Sequence, residues 1–412
     1  MDQKVIIKKQ NINSDLENYT KEELIQKVKS LTAHNIQLKN IIAKQSTLNT
    51  SKPRDDKPFD FSKCSFQHVA LHLLYLGWDY HGYVEQEGTN ETIEHYLFDA
   101  LTRTKLIRDR SSSNYHRCGR TDKGVSSFGQ VISIDLRVND SSKEQLDYCK
   151  ILNKVLPDTI QCIAWSSVDE QFSARFDCLS RTYKYYFPKG DLNIEKMREA
   201  SSKLVGVHDF RNFCKMDVGN GVTEFTRNIM EIFIEQLEKN AGVYDICVIN
   251  IKAKAFLWHQ IRCIMGILFL IGEGKEEPEV IDELLNIDKY PRKPEYSMAN
   301  EVPLNLYHCE YDNINWNYDL EVMQQLNEKM KKSWTFYSIK SHMIKGMIDC
   351  LEEKMVNTDE SKETCLSECL HNSRTKTKKY VPLLERPTCD SLEQKIEHFK
   401  KRKRIEVIDN SS

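Results

Sequence analysis

The chain has 412 residues, of which 40% are hydrophobic and 29% are charged, and its 59 Lys and Arg residues nearly balance its 61 Asp and Glu residues. This apolar content is sufficient for about two or three folded domains and argues against wholesale disorder. A formal net charge of -2 gives no overall attraction to nucleic acid, so any basic surface has to be local. The apolar runs are too short to cross a bilayer, and the polar first twenty residues lack the apolar core of a signal peptide. We therefore expect neither a secreted nor a membrane protein.

The first residues show heptad-like spacing of apolar side chains. A capping box at residues 20–23 predicts the start of a helix. The seam that follows consists of Leu24, Val28, Leu31, Asn35, Leu38 and Ile42. This spacing fits a short coiled coil with one buried Asn, and it fits equally a single amphipathic helix that lies on its own domain. We therefore expect a helical segment at residues 1–45 and a linker at residues 46–66.

Beyond the linker, the pattern changes to short strands separated by helices. Alternating apolar positions predict strands near Val69 and at 131–138, 183–187 and 247–253. Helical spacing predicts one helix from Ile93, with Asn90 as its N-cap, and another over Trp258–Ile271 that stops at Gly272. Two similar series of strands and helices indicate an α+β fold with helices packed on a mostly antiparallel sheet.

The last hundred residues show weaker periodicity. Residues 349–370 carry seven acidic residues against two lysines with little periodicity, and we expect a mobile loop there. Residues 374–404 are strongly basic and end in the run Lys400–Arg404. This run fits a nuclear localisation signal, a patch that contacts phosphates, or a solvated helix end. We expect the protein in both nucleus and cytoplasm.

Thirteen cysteines are scattered along the chain without a Cys-x-x-Cys pair. With no secretory signal, reduced and mostly buried thiols are expected rather than disulfides. The spacing matches no zinc-binding pattern, so the sequence predicts no metal site.

The segment Cys118-Gly-Arg-Thr-Asp-Lys-Gly-Val-Ser-Ser-Phe-Gly-Gln-Val131 is the most informative for chemistry. Its three glycines permit tight turns, and Asp122 on such a constrained loop suits nucleophilic or general-base catalysis. Arg120, two residues earlier, suits a phosphate or the gap that a displaced base leaves. Taken alone, the string is also typical of an ordinary turn.

This segment resembles the signature of the TruA family of tRNA pseudouridine synthases. Other blocks follow in the family's order over about residues 68–312. They are Tyr80-His-Gly82 with Gln86, Leu152-Asn153, Leu156-Pro157, Phe172-Ser-Ala-Arg175, Arg181-Thr-Tyr183-Lys-Tyr185, His208-Asp-Phe210 with Phe213, and Phe256-Leu-Trp-His259-Gln-Ile-Arg262 with Gly266. Cys118, the N-terminal helix and the basic C-terminal extension most resemble the eukaryotic members that modify tRNA positions 38 and 39.

The resemblance implies two ferredoxin-like halves that share a central, mostly antiparallel sheet, with the active cleft between them. We expect the first half at residues 67–190, the second at 191–316 and a C-terminal extension at 317–412. The implied reaction isomerises uridine to pseudouridine in the anticodon stem-loop, without a cofactor. The expected partner is tRNA, held by a homodimer. Alternatives are a multisite synthase that acts on other tRNA positions or mRNA, a catalytically silent RNA-binding protein, and a coiled-coil adaptor.

The family also implies a role for each site residue. Asp122 would be the catalytic carboxylate, Arg120 would hold the flipped state, and Tyr183 would stack on the uracil, although a Tyr in such a strand is also typical of a core. Arg262 lies among apolar residues, so it needs an acidic partner unless it faces solvent; the family implies an ion pair with Asp122. The residues expected to contact RNA are Lys123, Arg175, Arg181, Lys184 and His259.

Overall fold

The computed structural model describes residue 20 and residues 25–30, 32–34, 59–138, 146–237, 244–355 and 380–409. The chain divides into two compact units, Met1–Asp60 and Phe61–Ser412. In the first unit, residues 25–30 and 32–34 are helical, in the region where the sequence predicts a helix. Val28 is exposed; the other positions of the predicted seam, and residues 46–58 of the predicted linker, lie outside the described residues.

One sheet of nine strands forms the centre of the second unit's described part. The strands are β1 Phe66–Tyr75, β2 His116–Arg117, β3 Ser126–Arg137, β4 Ile160–Ser167, β5 Ser180–Pro188, β6 Gly206–Asp209, β7 Thr226–Gln236, β8 Ile246–Ala253 and β9 Leu304–Glu310. Their order is β4-β1-β3-β9-β5-β8-β7-β6, with β2 paired to β3. All these pairs are antiparallel except β3 and β9, which run parallel. The prediction of a mostly antiparallel sheet is therefore confirmed.

The helices pack in two groups against this sheet. They are α1 Ile93–Arg103, α2 Tyr148–Asn153, α3 Ile194–Ser202, α4 Gln260–Gly272, α5 Val280–Leu285, α6 Leu320–Met355 and α7 Leu392–Asp409. The first apolar core joins α1 and α2 to β1, β3 and β4. The second joins α3, α4 and α5 to β5, β7 and β8. The pair β3–β9 therefore lies between two separate cores.

The two predicted helices of the body are present with small shifts. The N-cap of α1 is Thr92 rather than Asn90, because the Thr92 hydroxyl accepts a hydrogen bond from the His95 N–H at 3.4 Å. Helix α4 begins at Gln260 and ends at the predicted Gly272. Among the described helices, none combines the length and apolar character that crossing a membrane requires.

Gly129 allows β3 and β9 to approach closely. A Cβ at this position would lie 2.5 Å from the carbonyl oxygen of Tyr307, which is closer than any side chain tolerates. Beside it, the Ser127 hydroxyl donates to the Leu306 carbonyl at 2.8 Å. Gly129 is thus needed for contact between two strands, and the prediction that it permits a turn is wrong.

The chain after residue 316 is more regular than its sequence suggests. Val322 and Leu326 of α6 are buried in the first core, and Met330 packs on a smaller apolar cluster. The helix continues to Met355, so the prediction of a loop from residue 349 is wrong for Asp349–Met355. An ion pair between Lys345 and Asp349, one helical turn apart, supports this last section. Residues 356–370 lie outside the described residues, and the basic run 400–404 lies within α7.

Candidate active site

The loop that contains Asp122 is tied to the strand that follows it. Gln130 on β3 is fully buried. Its side-chain amide donates to the Gly119 carbonyl at 2.9 Å and accepts from the Gly119 N–H at 3.2 Å. The Cys118 N–H donates to the Val131 carbonyl at 2.8 Å. These bonds fix the backbone three residues before Asp122.

A tight turn carries the Asp122 carboxyl group. The Val125 N–H donates to the Asp122 carbonyl at 3.1 Å, which closes a four-residue turn. Its third residue, Gly124, has a φ of 78°, the left-handed conformation that a type II turn requires there. The Gly124 N–H also donates to the Tyr80 carbonyl at 3.1 Å. A Cβ on Gly82 would lie 3.2 Å from the backbone of this turn, so the first family-like block packs directly on the second.

His259 is the side chain that faces the Asp122 carboxylate. Its Nε2 lies 3.3 Å from Asp122 Oδ2, and 9% of the His259 side chain is exposed against 27% for Asp122. Within the described residues, no group donates a hydrogen bond to the Asp122 carboxylate. The carboxylate therefore keeps both oxygens available for a substrate, and a small rotation would turn the His259 contact into a hydrogen bond.

The backbone of His259 is strained in a way that points its ring at Asp122. His259 has a φ of 59° and sits immediately before α4. Non-glycine residues seldom adopt this left-handed conformation, and it occurs more often where function requires it. The His259 Nδ1 atom is buried without a hydrogen-bond partner in the described residues. Its ring packs on Trp258, with the two centroids 4.4 Å apart.

Arg262 forms its ion pair with Glu301 rather than with Asp122. Only 5% of the Arg262 side chain is exposed, so the expectation of an acidic partner is confirmed and the solvent-facing alternative is wrong. Its guanidinium donates to Glu301 Oε2 at 2.7 Å and to the Ala299 carbonyl at 2.8 Å. A Cβ on Gly124 would lie 2.7 Å from Glu301 Cγ. Arg262 therefore acts on the Asp122 turn through Glu301, by packing rather than by direct contact.

Tyr183 connects the Asp122 loop with the segment before α4. It lies on β5 between β8 and β9, paired with Ile251 and Leu306. Its ring meets Phe256 edge-on, with centroids 5.2 Å apart, and its hydroxyl lies 3.9 Å from where a Cβ of Gly119 would be. Burial raises the pKa of Tyr183 well above its ordinary value, so the phenol stays protonated. The side chain is half-buried rather than part of a closed core.

Three arginines come together near the Asp122 loop. Partial desolvation of its guanidinium, and then the like charges of Arg117 and Arg175, lower the pKa of Arg120. Arg120 and Lys123 are both exposed, and neither makes an ion pair within the described part of the chain. Glu94 pairs with Arg117 at 2.6 Å and compensates only part of the cluster's charge. A local excess of positive charge is typical of a surface that binds an anion.

Two of the predicted RNA-binding residues are held by the protein itself. The Arg181 guanidinium donates to the carbonyls of Cys118 at 3.0 Å and Arg175 at 3.1 Å, and also to the Lys254 carbonyl. Lys184 Nζ lies 3.8 Å from the centre of the Tyr307 ring. These contacts give both residues a positioning function in the protein.

A family profile described as tRNA pseudouridine synthase matches residues 200–312. The tRNA pseudouridine(38/39) synthase of Bos taurus is 43% identical, over 95% of this chain and 90% of that protein. The enzyme of that name from Saccharomyces cerevisiae is 38% identical, over 76% of this chain and 74% of that protein. The tRNA pseudouridine synthase A of Methanosarcina mazei is 34% identical, over 68% of this chain and 98% of that protein.

The chain belongs to the TruA family of tRNA pseudouridine synthases. Members of this family are isomerases that act on tRNA, so the resemblance inferred from the motifs is confirmed. The extent of the bovine match shows that the similarity includes most of the chain and not only the motif blocks.

Two contacts in this pseudouridine synthase's site were not predicted from sequence. His259 lies 3.3 Å from Asp122, and its contact with RNA stays a prediction. Glu301 was not predicted at all, although its pairing with Arg262 satisfies the stated need for an acidic partner. No local pattern marks Glu301, because it lies in an irregular segment just before β9.

Proposed function

We propose that this protein isomerises uridine to pseudouridine at positions 38 and 39 of tRNA, with Asp122 as the catalytic carboxylate. The observation that carries the proposal is the Asp122 carboxylate itself, which is held on a rigid turn, left partly exposed and contacted only by His259 among the described charged side chains. The similar enzymes of Bos taurus and Saccharomyces cerevisiae are named for positions 38 and 39.

The chemistry needs a carboxylate near the anomeric carbon. The reaction breaks the bond from N1 to C1′, turns the uracil, and joins C5 to C1′, so nothing is oxidised or reduced. As in glycoside chemistry, charge develops on the sugar and a nearby carboxylate stabilises it. We assign this function to Asp122. Because its turn is preorganised, the carboxylate does not have to be reoriented during the reaction.

The target uridine has to leave the helical stack, which costs a few kcal/mol. Arg120 is the proposed wedge that fills the vacated space, since it is exposed beside Asp122 and lacks an ion-pair partner in the described residues. Tyr183 is the proposed stacking partner of the uracil, worth about 1–3 kcal/mol. Lys123 and Arg175 would contact phosphates around the cleft, where such contacts position the RNA without reading its bases.

The proposal includes two ferredoxin-like halves and the division at residues 67–190, 191–316 and 317–412. Its support is the β-α-β-β-α-β succession of such folds. Apart from the edge strand β6 and the short helix α5, the second series follows it as β5-α3-β7-β8-α4-β9, in the spatial order β9-β5-β8-β7. The first series, β1-α1-β2-β3-α2-β4, has the matching order with β2 beside β3. The Asp122 turn lies where the two series meet.

We further propose a homodimer that pairs through α6. Its support is a run of exposed apolar side chains on the second part of that helix: Trp334, Phe336, Ile339, Met343, Ile344, Met347 and Leu351. A stripe of this size on a helix is typical of an interface. Replacement of Met343 and Met347 by Glu is expected to give a monomer in light scattering, while Glu at the polar positions Lys331 and Ser341, on the other side of the helix, leaves the dimer. A wild-type monomer at micromolar concentration would refute this interface.

The expected distribution between nucleus and cytoplasm also remains a proposal. It is supported by the basic run at residues 400–404, which lies on α7. Loss of nuclear signal after replacement of this run by Gln, in a fluorescent fusion, is the expected outcome.

The decisive experiment maps pseudouridine in unmodified tRNA transcripts treated with purified protein. Asp122→Asn keeps the size of the side chain and removes its charge, and Asp288→Asn changes an exposed carboxylate in a turn after α5. We expect conversion at 38 and 39 by the wild type and by Asp288→Asn, and none by Asp122→Asn with tRNA binding retained. Conversion at other positions alone would refute the assigned target, and full activity of Asp122→Asn would refute the assigned carboxylate.

A further inference from the structure

Three cysteine sulfurs converge behind the Asp122 loop. The Sγ atoms of Cys118, Cys178 and Cys309 all lie within 4.8 Å of one another, and those of Cys118 and Cys309 are 3.2 Å apart. The three residues are 4%, 2% and 6% exposed, so the group is closed to solvent. Cys118 precedes the loop, Cys178 precedes β5 and Cys309 lies on β9. Three distant parts of the chain therefore bring their thiols to one point.

We propose that Cys118, Cys178 and Cys309 form a three-thiolate site for a thiophilic metal ion. Sulfur binds such ions at about 2.3 Å, which places three ligands around one ion about 4 Å from each other. The observed spacing needs only small side-chain rotations to reach this geometry. Thiolates select soft ions, foremost Cu(I) and Zn(II).

Arg181 gives the charge that such a site needs. Three thiolates carry three negative charges, so a bound monovalent ion leaves two and a divalent ion leaves one. The Arg181 guanidinium donates hydrogen bonds to the carbonyls of Cys118 at 3.0 Å and Arg175 at 3.1 Å, which hold it next to the cysteine trio. A half-buried positive charge beside a net-negative metal centre offsets part of the burial cost of that centre.

The number of ligands favours Cu(I) over Zn(II). In the described residues, the trio has no fourth His, Cys, Asp or Glu ligand within reach. Structural zinc nearly always takes four ligands, whereas Cu(I) accepts fewer soft ones. The buried pair Cys149 and Cys162, with sulfurs 3.1 Å apart, offers only two sulfurs and serves as an internal comparison.

A bound ion would connect the two halves of the sheet next to the site. Cys309 lies on β9, two residues from Tyr307 at the close contact with Gly129, and Cys118 directly precedes Gly119. The ion would thus hold the start of the Asp122 loop to the second half of the fold. This function is independent of which uridine the enzyme modifies.

The test measures the metal content of the full-length chain. The protein is produced in medium supplemented with copper or zinc, purified under reducing conditions and analysed by inductively coupled plasma mass spectrometry. We expect about one ion per wild-type chain from one of the two media. Cys178→Ser and Cys309→Ser should retain only background metal, and Cys149→Ser should bind as the wild type does. Circular dichroism establishes that each variant is folded.

X-ray absorption at the metal edge of the wild-type protein needs no variant. A first shell made of sulfur at about 2.3 Å supports the site, and a shell made mainly of nitrogen or oxygen overturns it. Background metal in the wild type from both media overturns the proposal, as does equal loss in Cys149→Ser and Cys178→Ser. A disulfide between Cys118 and Cys309 in the metal-free native chain would also overturn it. None of these results depends on pseudouridine formation.

Discussion

Gln130 is expected to control activity through the position of the Asp122 loop. Gln130→Leu removes both hydrogen bonds to Gly119 and leaves an N–H and a carbonyl without their partners. An unsatisfied buried group costs about 1–3 kcal/mol, and Gly119 is partly exposed, so water compensates for some of the loss. We therefore expect the free energy of unfolding to fall by about 2–4 kcal/mol. The freed loop displaces Asp122, and a shift of about 1 Å in a reacting group lowers kcat by about 10²-fold.

Gln161 provides a matched control. It is buried on β4, where its amide donates to the carbonyls of Pro157 and Ile160, each at 2.8 Å. Gln161→Leu should therefore lose a similar free energy of unfolding, measured in urea, while kcat stays close to that of the wild type well below the melting temperature. Single-turnover conversion of a tRNA transcript gives the rate for both variants. Equal stability loss with wild-type kcat in Gln130→Leu would refute the reasoning, as would an equal fall of kcat in Gln161→Leu.

Two more predictions concern single positions. Burial lowers the pKa of His72 to about 4. Between pH 4 and about pH 6.5 the unfolded chain therefore binds a proton that the folded protein does not. The free energy of unfolding falls as the pH drops through this range, by at most about 3 kcal/mol. His72→Phe should flatten this dependence in urea unfolding at pH 7 and pH 4.5, and an unchanged slope would show that other groups cause it. Gly124→Ala strains a positive φ by about 1–2 kcal/mol and also clashes with Glu301, whereas Gly274→Ala has a φ of 68° and open space around it. Pseudouridine formation should fall in Gly124→Ala and not in Gly274→Ala. An equal fall in the two variants would show that backbone strain alone causes the loss.

Most strands were predictable because their alternation reports burial directly. Residues 247–253 alternate as the sequence predicts, and Cys247, Ile249, Ile251 and Ala253 all face the second core. Helix α4 was predictable because nearly all of its side chains are apolar and buried. Helix α6 was not, because beyond Met330 its apolar side chains are exposed and do not form one buried stripe. Sequence periodicity predicts a helix or strand well where one of its faces is buried in the same chain. It does not do so where the apolar face of a helix is exposed, as in the second part of α6.

The loop with Asp122 was found from sequence because all its residues are close together in the chain. Gly119 and Gln130 bond to each other, and Gly124 forms the turn that carries Asp122, so these residues interact within one short segment. The contacts of His259 with Asp122 and of Glu301 with Arg262 could not be found this way. They depend on which loops meet in space, and no spacing rule connects them. The cysteine trio could not be found from local sequence either, because Cys118 and Cys309 are 191 residues apart.

The candidate site residues come from both sides of the β3–β9 pair. Asp122 comes from the first series of strands, and His259, Arg262 and Glu301 come from the second. Glu301 fills the space that the absent side chain of Gly124 leaves, so Arg262 shapes the Asp122 turn without touching its carboxylate. Under the proposed mechanism, neither half has a complete site by itself, and the close approach at Gly129 is where the two series of strands are joined.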